Sequence, residues 1–180
     1  MPTDVHVGFV RAVMLGRDGL HRDVLLDIVE RAGGADAASY LSTGNVSFRA
    51  TPDRVDDVVD SIERGIEDVV GRSTPVMVRS LDRLRALVAR SPFDQAPHDA
   101  PRARLVTMVR DVVRDDFAVP IVSPHGDYHV FAVAGGEVFA VTIDTGGRVQ
   151  DPGGLIERLA GEPATTRAWG TIERIVASLS

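Results

Sequence analysis

The chain has 180 residues, 44% hydrophobic and 26% charged, with a formal net charge of −6, the make-up of an ordinary globule with room for one large domain or two small halves. Cysteine is absent, which excludes disulfides, thiolate metal sites and cysteine nucleophiles and suits a reducing cytoplasm. All 20 basic residues are arginine; acids are spread among them and no basic run forms, which disfavours generic binding to a nucleic-acid backbone. In chain order, Val5 to Val13 is β-rich and ends in the glycine turn LGRDG. From Arg22 to Ala32, apolar residues at Val24, Leu25, Ile28, Val29 and Ala32 mark one helical face, stopped by Gly33 and Gly34. AASYL and NVSFR read as two short strands joined by STG. Pro52 and Asp53 open a second helix, striped at Val55, Val58, Val59, Ile62, Ile66, Val69 and Val70. PVMVRS is another strand. The order β-α-β-β-α-β predicts a ferredoxin-like unit over residues 1–80: a four-stranded antiparallel sheet with two helices on one face.

Residues 81–180 predict a second, smaller α+β half. Leu81 to Arg90 is a short helix, and SPFDQAPHDAP, with three prolines, is expected to cross between the halves. Arg104 to Val109 is a strand, and VVRDDFAVPIVSPHG carries no clear period. YHVFAVAGGEVFAVTID predicts a hairpin turning at its glycine pair. TGGRVQDPGG leads to a helix over Leu155 to Leu159, and a last helix carries Trp169, Ile172, Val176 and Leu179 on one side. No internal repeat stands out. The N-terminus has no basic segment followed by an apolar stretch, so no signal peptide is read, and the most apolar region is too interrupted to span a bilayer. The expectation is a cytoplasmic protein that does not meet a membrane.

Chemistry-bearing motifs are few. His125 and His129 would share a face if helical, but Gly126 and the β-rich sequence after it argue against a helix. With no third ligand, no metal site is expected. The other histidines are scattered, and no cofactor is indicated. TGGRVQDPGG could cradle a phosphate by its amides but reads as a connecting loop. The pairs Asp56–Asp57 and Asp115–Asp116 read as solvated acids. YLSTGNVSF has two readings: a hairpin turn with Gly44 at positive φ, or a turn whose Ser42, Thr43 and Asn45 also meet a ligand. PATTRAWGT also has two. Thr165 or Thr166 caps the final helix while Trp169 anchors it and Arg167 points to water; or the cluster is a recognition surface, with Gly170 admitting another backbone.

At these residues the sequence resembles the bacterial domain of unknown function 1697 family. That family's strand-loop, hairpin, NPF turn and C-terminal motif correspond in order to VRAVMLGR (10–17), YLSTGNVSF (40–48), SPF (91–93) and TTRAWGT (165–171). Met14, Ala168 and Gly170 stand where the family has asparagines, and a lysine common in the family has no counterpart. The resemblance implies two α+β halves and supplies positions without chemistry.

The reading that follows is a binding protein for a small anionic or nucleotide-like ligand in a cleft between the halves. Its candidate contacts are Arg11, Ser42, Thr43, Asn45, Thr165, Thr166, Arg167 and Trp169. The arginines would pair with an anion, the hydroxyls and amide would orient it, and the indole would stack on a planar group. Alternatives are a transferase or hydrolase using arginine-stabilised chemistry, and a structural module that forms a homodimer through an exposed sheet edge.

Overall fold

The first strand, β1 (Asp4–Val10), is the centre of a sheet that the rest of the first eighty residues complete. A computed structural model describes residues 3–111, 113 and 117–179, and the chain divides into two compact units, Met1–Arg83 and Leu84–Ser180. After β1 come α1 (Arg22–Arg31), β2 (Ala35–Tyr40), β3 (Asn45–Ala50), α2 (Val55–Val70) and β4 (Val76–Ser80). The sheet order is β2-β3-β1-β4 and every pairing is antiparallel. The helical stripes predict what they bury. Leu25 and Val29 of α1 and Val58, Val59, Ile62 and Ile66 of α2 form one core with Val10, Val46, Phe48 and Val76 of the strands. Burying each such side chain contributes roughly 1.5–3 kcal/mol. Alternation along the strands sends Val7, Phe9, Met77, Arg79, Asn45 and Ser47 to the opposite face, and all six are buried.

The chain then enters α3 (Leu81–Ala89) directly from β4, with Leu84 and Leu87 buried. The proline-rich segment contains a 3-10 turn, Pro92–Gln95. It lies wholly inside the second unit rather than crossing between the two. There follow β5 (Ala103–Val109), β6 (Ile121–Val122), β7 (Tyr128–Ala134), β8 (Glu137–Thr142), α4 (Gly153–Ala160), β9 (Ala164–Ala168) and α5 (Trp169–Ser178). The second sheet has the order β6-β7-β8-β5-β9, again antiparallel throughout. Ile156 and Ala160 of α4 cover Val109, Val130, Val138 and Ala140. This unit is the longer of the two, not the smaller, and its sheet has five strands among the described residues.

The second unit repeats the wiring of the first, which the sequence did not disclose. The order β7-β8-β5-β9 reproduces β2-β3-β1-β4. Val10 donates its amide to the Gly44 carbonyl at 2.8 Å, and Val109 donates to that of Gly136 at 2.9 Å. In each unit the last strand is an edge strand that runs into a helix without a connecting residue. The two chains of residues share little side-chain chemistry, and backbone pairing carries the likeness.

Candidate functional site

In the first unit, the candidate residues gather at one end of the sheet. Asn45 opens β3 and is fully buried. Its amide nitrogen donates to the Tyr40 carbonyl at 3.0 Å and to Thr43 Oγ1 at 2.9 Å, closing the hairpin turn. The turn reading therefore accounts for this amide. Gly44 adopts φ 67°, and a β-carbon there would run into the side chain of Val13. Glycine is what lets the turn lie against the segment after β1. That segment accepts the turn closely, since the Leu15 amide donates to Ser42 O at 2.7 Å. Ala12 (φ 53°) and Leu41 (φ 58°) occupy the left-handed region without being glycine, a local cost of the kind that collects at functional loops. Arg11 leaves β1 here, its amide donating to Pro75 O at 2.9 Å. Arg72 Nη2 donates to Ala12 O at 2.8 Å. Met14, at a family asparagine position, is 45% exposed.

In the second unit, Thr165, Thr166 and Arg167 do not precede a helix as caps. They form β9, paired in register with β5: Thr165 opposite Met108, Thr166 opposite Thr107, Arg167 opposite Val106. The helix begins at Trp169, Ala168 stands at its N-cap, and no side-chain hydrogen bond caps it. Two β-branched threonines favour the pleated surface as readily as a cap, and pairing with β5 decides between them. Alternation separates the cluster. Thr166 shares one face with Thr107, their hydroxyls 2.9 Å apart, while Thr165 and Arg167 lie on the other. Arg167 is not directed to water but is buried, 9% exposed. Its Nη1 donates to Thr165 Oγ1 at 2.7 Å and to the Thr166 carbonyl at 2.9 Å. Burial pushes its guanidinium pKa down to about 10, which leaves it a cation at neutral pH. Trp169 is 4% exposed and packs on Phe93 and Phe139, with ring centroids 5.3 and 5.9 Å away. Phe139 and Arg167 both lie opposite Val106, on either side of β5, so cation and indole border the same face. Gly170 admits no close neighbour: a β-carbon there would come no nearer than 3.9 Å to Glu173.

Sequence reasoning missed Arg79, the counterpart of Arg167 in the first unit. It too is the penultimate residue of an edge strand, is 4% exposed, and donates through Nη1 to the preceding carbonyl, Val78 O, at 2.8 Å. The signal available was the pair R-S-L and R-A-W, each an arginine two residues before a buried helix start.

The remaining motifs separate. His125 and His129 are not partners; His129 lies in β7 and meets His98 instead. The glycine-rich stretch is held by local bonds, Gly146 N to Asp144 Oδ1 at 2.9 Å and Gly153 N to Asp151 Oδ1 at 2.6 Å. Asp127, buried, accepts from Ser123 Oγ at 2.5 Å and from the Gln150 amide at 2.7 Å. The Ser123 hydroxyl, then the Gln150 amide, hold its carboxyl below the usual range. Asp56 and Asp57 lie exposed in the first turn of α2; Asp115 and Asp116 lie outside the described residues. Among the described residues no helix is long and apolar enough to cross a membrane.

The family model described as "Protein of unknown function (DUF1697)" matches residues 4–139. The chain belongs to this family. The matched span covers the first unit and the second as far as β8; β9 and α5, with Thr165 to Trp169, lie beyond it. Among solved structures, the conserved bacterial protein SP0830 from Streptococcus pneumoniae is similar to this DUF1697 chain, with a TM-score of 0.68 at 12% identity over 99% of each chain. At that identity the likeness is one of fold. No curated protein matches the chain.

Proposed function

We propose that this DUF1697 protein is a cytoplasmic binding protein for a small anionic, nucleotide-like ligand, and that its two units are variants of a ferredoxin-like plan. The observation that carries the reading is Arg167: a buried cation whose guanidinium is set by Thr165 Oγ1 and the Thr166 carbonyl, on the face that Trp169 borders. A guanidinium already oriented loses little freedom on pairing with a phosphate or carboxylate; Trp169, packed on Phe93 and Phe139, anchors that face and drops out of the proposed contacts. Thr166, on the other face of β9, drops out of the proposed contacts, and Asn45 is a turn clip. Arg11, Ser42 and Thr43 belong to the same proposal at the loop end of the first sheet, where Ala12 and Leu41 are strained.

Native mass spectrometry of freshly purified protein tests for a retained molecule. Thermal-shift titration with inorganic phosphate, pyrophosphate, a nucleoside monophosphate and a nucleoside diphosphate then tests the class. A ligand at 100 times its dissociation constant stabilises by about 2.7 kcal/mol, a shift readily seen. The wild type should respond to at least one probe and Arg167→Ala to none, while Arg11→Ala reports separately on the first unit. A wild type that retains nothing and responds to none of the probes would remove the proposal.

A further inference from the structure

We propose that residues 91–102 form a lid on one face of the second sheet, fastened by the hydrogen bond between His98 and His129 and released when both imidazoles are cations. The segment joins α3 to β5. It begins at Ser91, held at φ 45°, and ends at Arg102, whose amide donates to Thr142 O at 2.8 Å. Between these ends the backbone bonds among the described residues are local, Asp94 N to Ser91 O at 3.0 Å and Ala96 N to Phe93 O at 3.1 Å. Pro92, Pro97 and Pro101 have no amide to give. Two side chains fasten the span instead. Phe93 lies against Phe131, Phe139 and Trp169, with ring centroids 5.6, 5.8 and 5.3 Å away. His98 Nε2 and His129 Nδ1 are 3.3 Å apart, with the rings inclined at 69°. Phe139 alternates with Val138 and Ala140, which α4 covers, so the span lies on the opposite face, the one Arg167 shares. Val141, in register between His129 and Arg104 on that face, is fully buried.

A hydrogen bond between imidazoles needs a proton on one nitrogen and a lone pair on the other. One added proton leaves the bond intact, because a cationic ring still donates to a neutral one. A second removes the acceptor and sets two cations at a ring separation of 4.6 Å. Burial, and then the charge of His98, lowers the His129 pKa, so the second proton arrives below the usual histidine value of about 6.5. The charged groups around the pair do not offset it. Arg104 stands across Val141 on β5 and lies over the Phe93 ring, its Cζ 5.9 Å from the centroid. Asp94 and Asp99 are exposed on the span itself, and Arg102 pairs with Asp144 at 4.0 Å. Glu137 is at the far end of β8, opposite Ala134, and β6 places Val122 opposite His129. Among the described residues no carboxylate is bonded to either ring. Acid therefore unfastens the span at His98, and what remains is the apolar hold of Phe93. That the lid governs entry to Arg167 rests on the anion-binding reading above; the latch itself does not.

The chain has no cysteine, so Val141→Cys places a single thiol beneath the lid. Its rate of labelling by a pyridyl disulfide, divided by that of a free cysteine peptide at the same pH, reports how often the lid opens. From about pH 7.5 to about pH 4.5 this ratio should rise at least about tenfold. Adding His98→Phe or His129→Phe, which leaves a ring but no bond and no charge, should hold the ratio within about twofold across that range. Those variants keep His6, so a rise caused by general acid weakening would appear in them as well, and circular dichroism at each pH establishes that every chain is folded. In the unmodified chain, the nuclear Overhauser contact between the two imidazoles should be present at the upper pH and lost at the lower. A flat ratio in Val141→Cys, an equal rise in both ring variants, or an imidazole contact that survives acid would each overturn the proposal. No ligand enters these measurements, so their outcome is separate from that of the phosphate titrations.

Discussion

At the scale of single residues, Trp169 and Gly170 stand side by side and should respond in opposite directions. The indole is packed against Phe93 and Phe139, so Trp169→Ala is expected to cost about 3–5 kcal/mol, in the range of large aromatic truncations, read from the urea midpoint. Gly170 lies in the first turn of α5 with room for a β-carbon. Gly170→Ala is therefore expected to stabilise, by about 0.4–1 kcal/mol; a lowered melting temperature would show that something approaches Gly170 after all. Arg167→Ala, near neutral if the side chain faced water, is expected to cost about 1.5–3 kcal/mol, since it removes charge-assisted bonds from a buried place. At this scale the sequence was informative about which residues matter and uninformative about why. The amide of Asn45 and the guanidinium of Arg167 both find partners within five positions of themselves, which no spacing rule distinguishes from readiness for a ligand. The meeting of His98 with His129 depends on a loop returning to a strand and has no local signature.

At the scale of elements, the helices were legible because their apolar stripes are long and one-sided, and the hairpins because glycine turns separate β-rich runs. β9 was not. ATTRA has no bulky alternation, and two hydroxyls before an apolar stripe are also how a helix begins; only its pairing with β5 resolves the choice. The packing of α1 on α2 turns on Gly65, where a β-carbon would stand 2.7 Å from Ile28 Cγ2. Gly65→Ala gains helix propensity yet should lose about 1–3 kcal/mol through overpacking. Adding Ile28→Ala should make the two changes strongly non-additive, because the alanine at 65 then has room. Additive losses in that double-mutant cycle would place the strain elsewhere.

At the scale of the whole molecule, two buried titrating groups, His6 and Asp127, and the half-buried His129 shape the response to acid. His6 stacks on Phe48 with ring centroids 5.7 Å apart, and its Nε2 is buried without a hydrogen-bond partner. Burial lowers its pKa against the smaller opposing effects of Ala50 and Asp4, and burial also lowers that of His129. As pH falls below about 6.5, the unfolded chain binds protons that the folded chain refuses, so stability should decline from its neutral plateau. Asp127 acts lower down. Its lowered pKa contributes stability that is full above about pH 3.9, the unfolded value, and is lost as pH falls through the folded one. Denaturant midpoints measured from about pH 8 to about pH 2 should therefore fall in two stages, and His6→Phe should flatten the first. A wild type with no change between about pH 7.5 and 5 would contradict the histidine part.

The fusion of β9 to α5 has a consequence for chain length. Ala168 closes the strand and Trp169 is already helical, so nothing between them can absorb an extra residue. One inserted amino acid would rotate α5 by about 100° about its axis and swing the indole away from Phe93 and Phe139. In the irregular stretch 145–149, before Gln150 is tied to Asp127, added length by contrast only enlarges a loop, at about 0.6 kcal/mol for each doubling. Peptide tags, reporter insertions and new termini belong in that loop, and the 168–169 bond is where this protein cannot be lengthened.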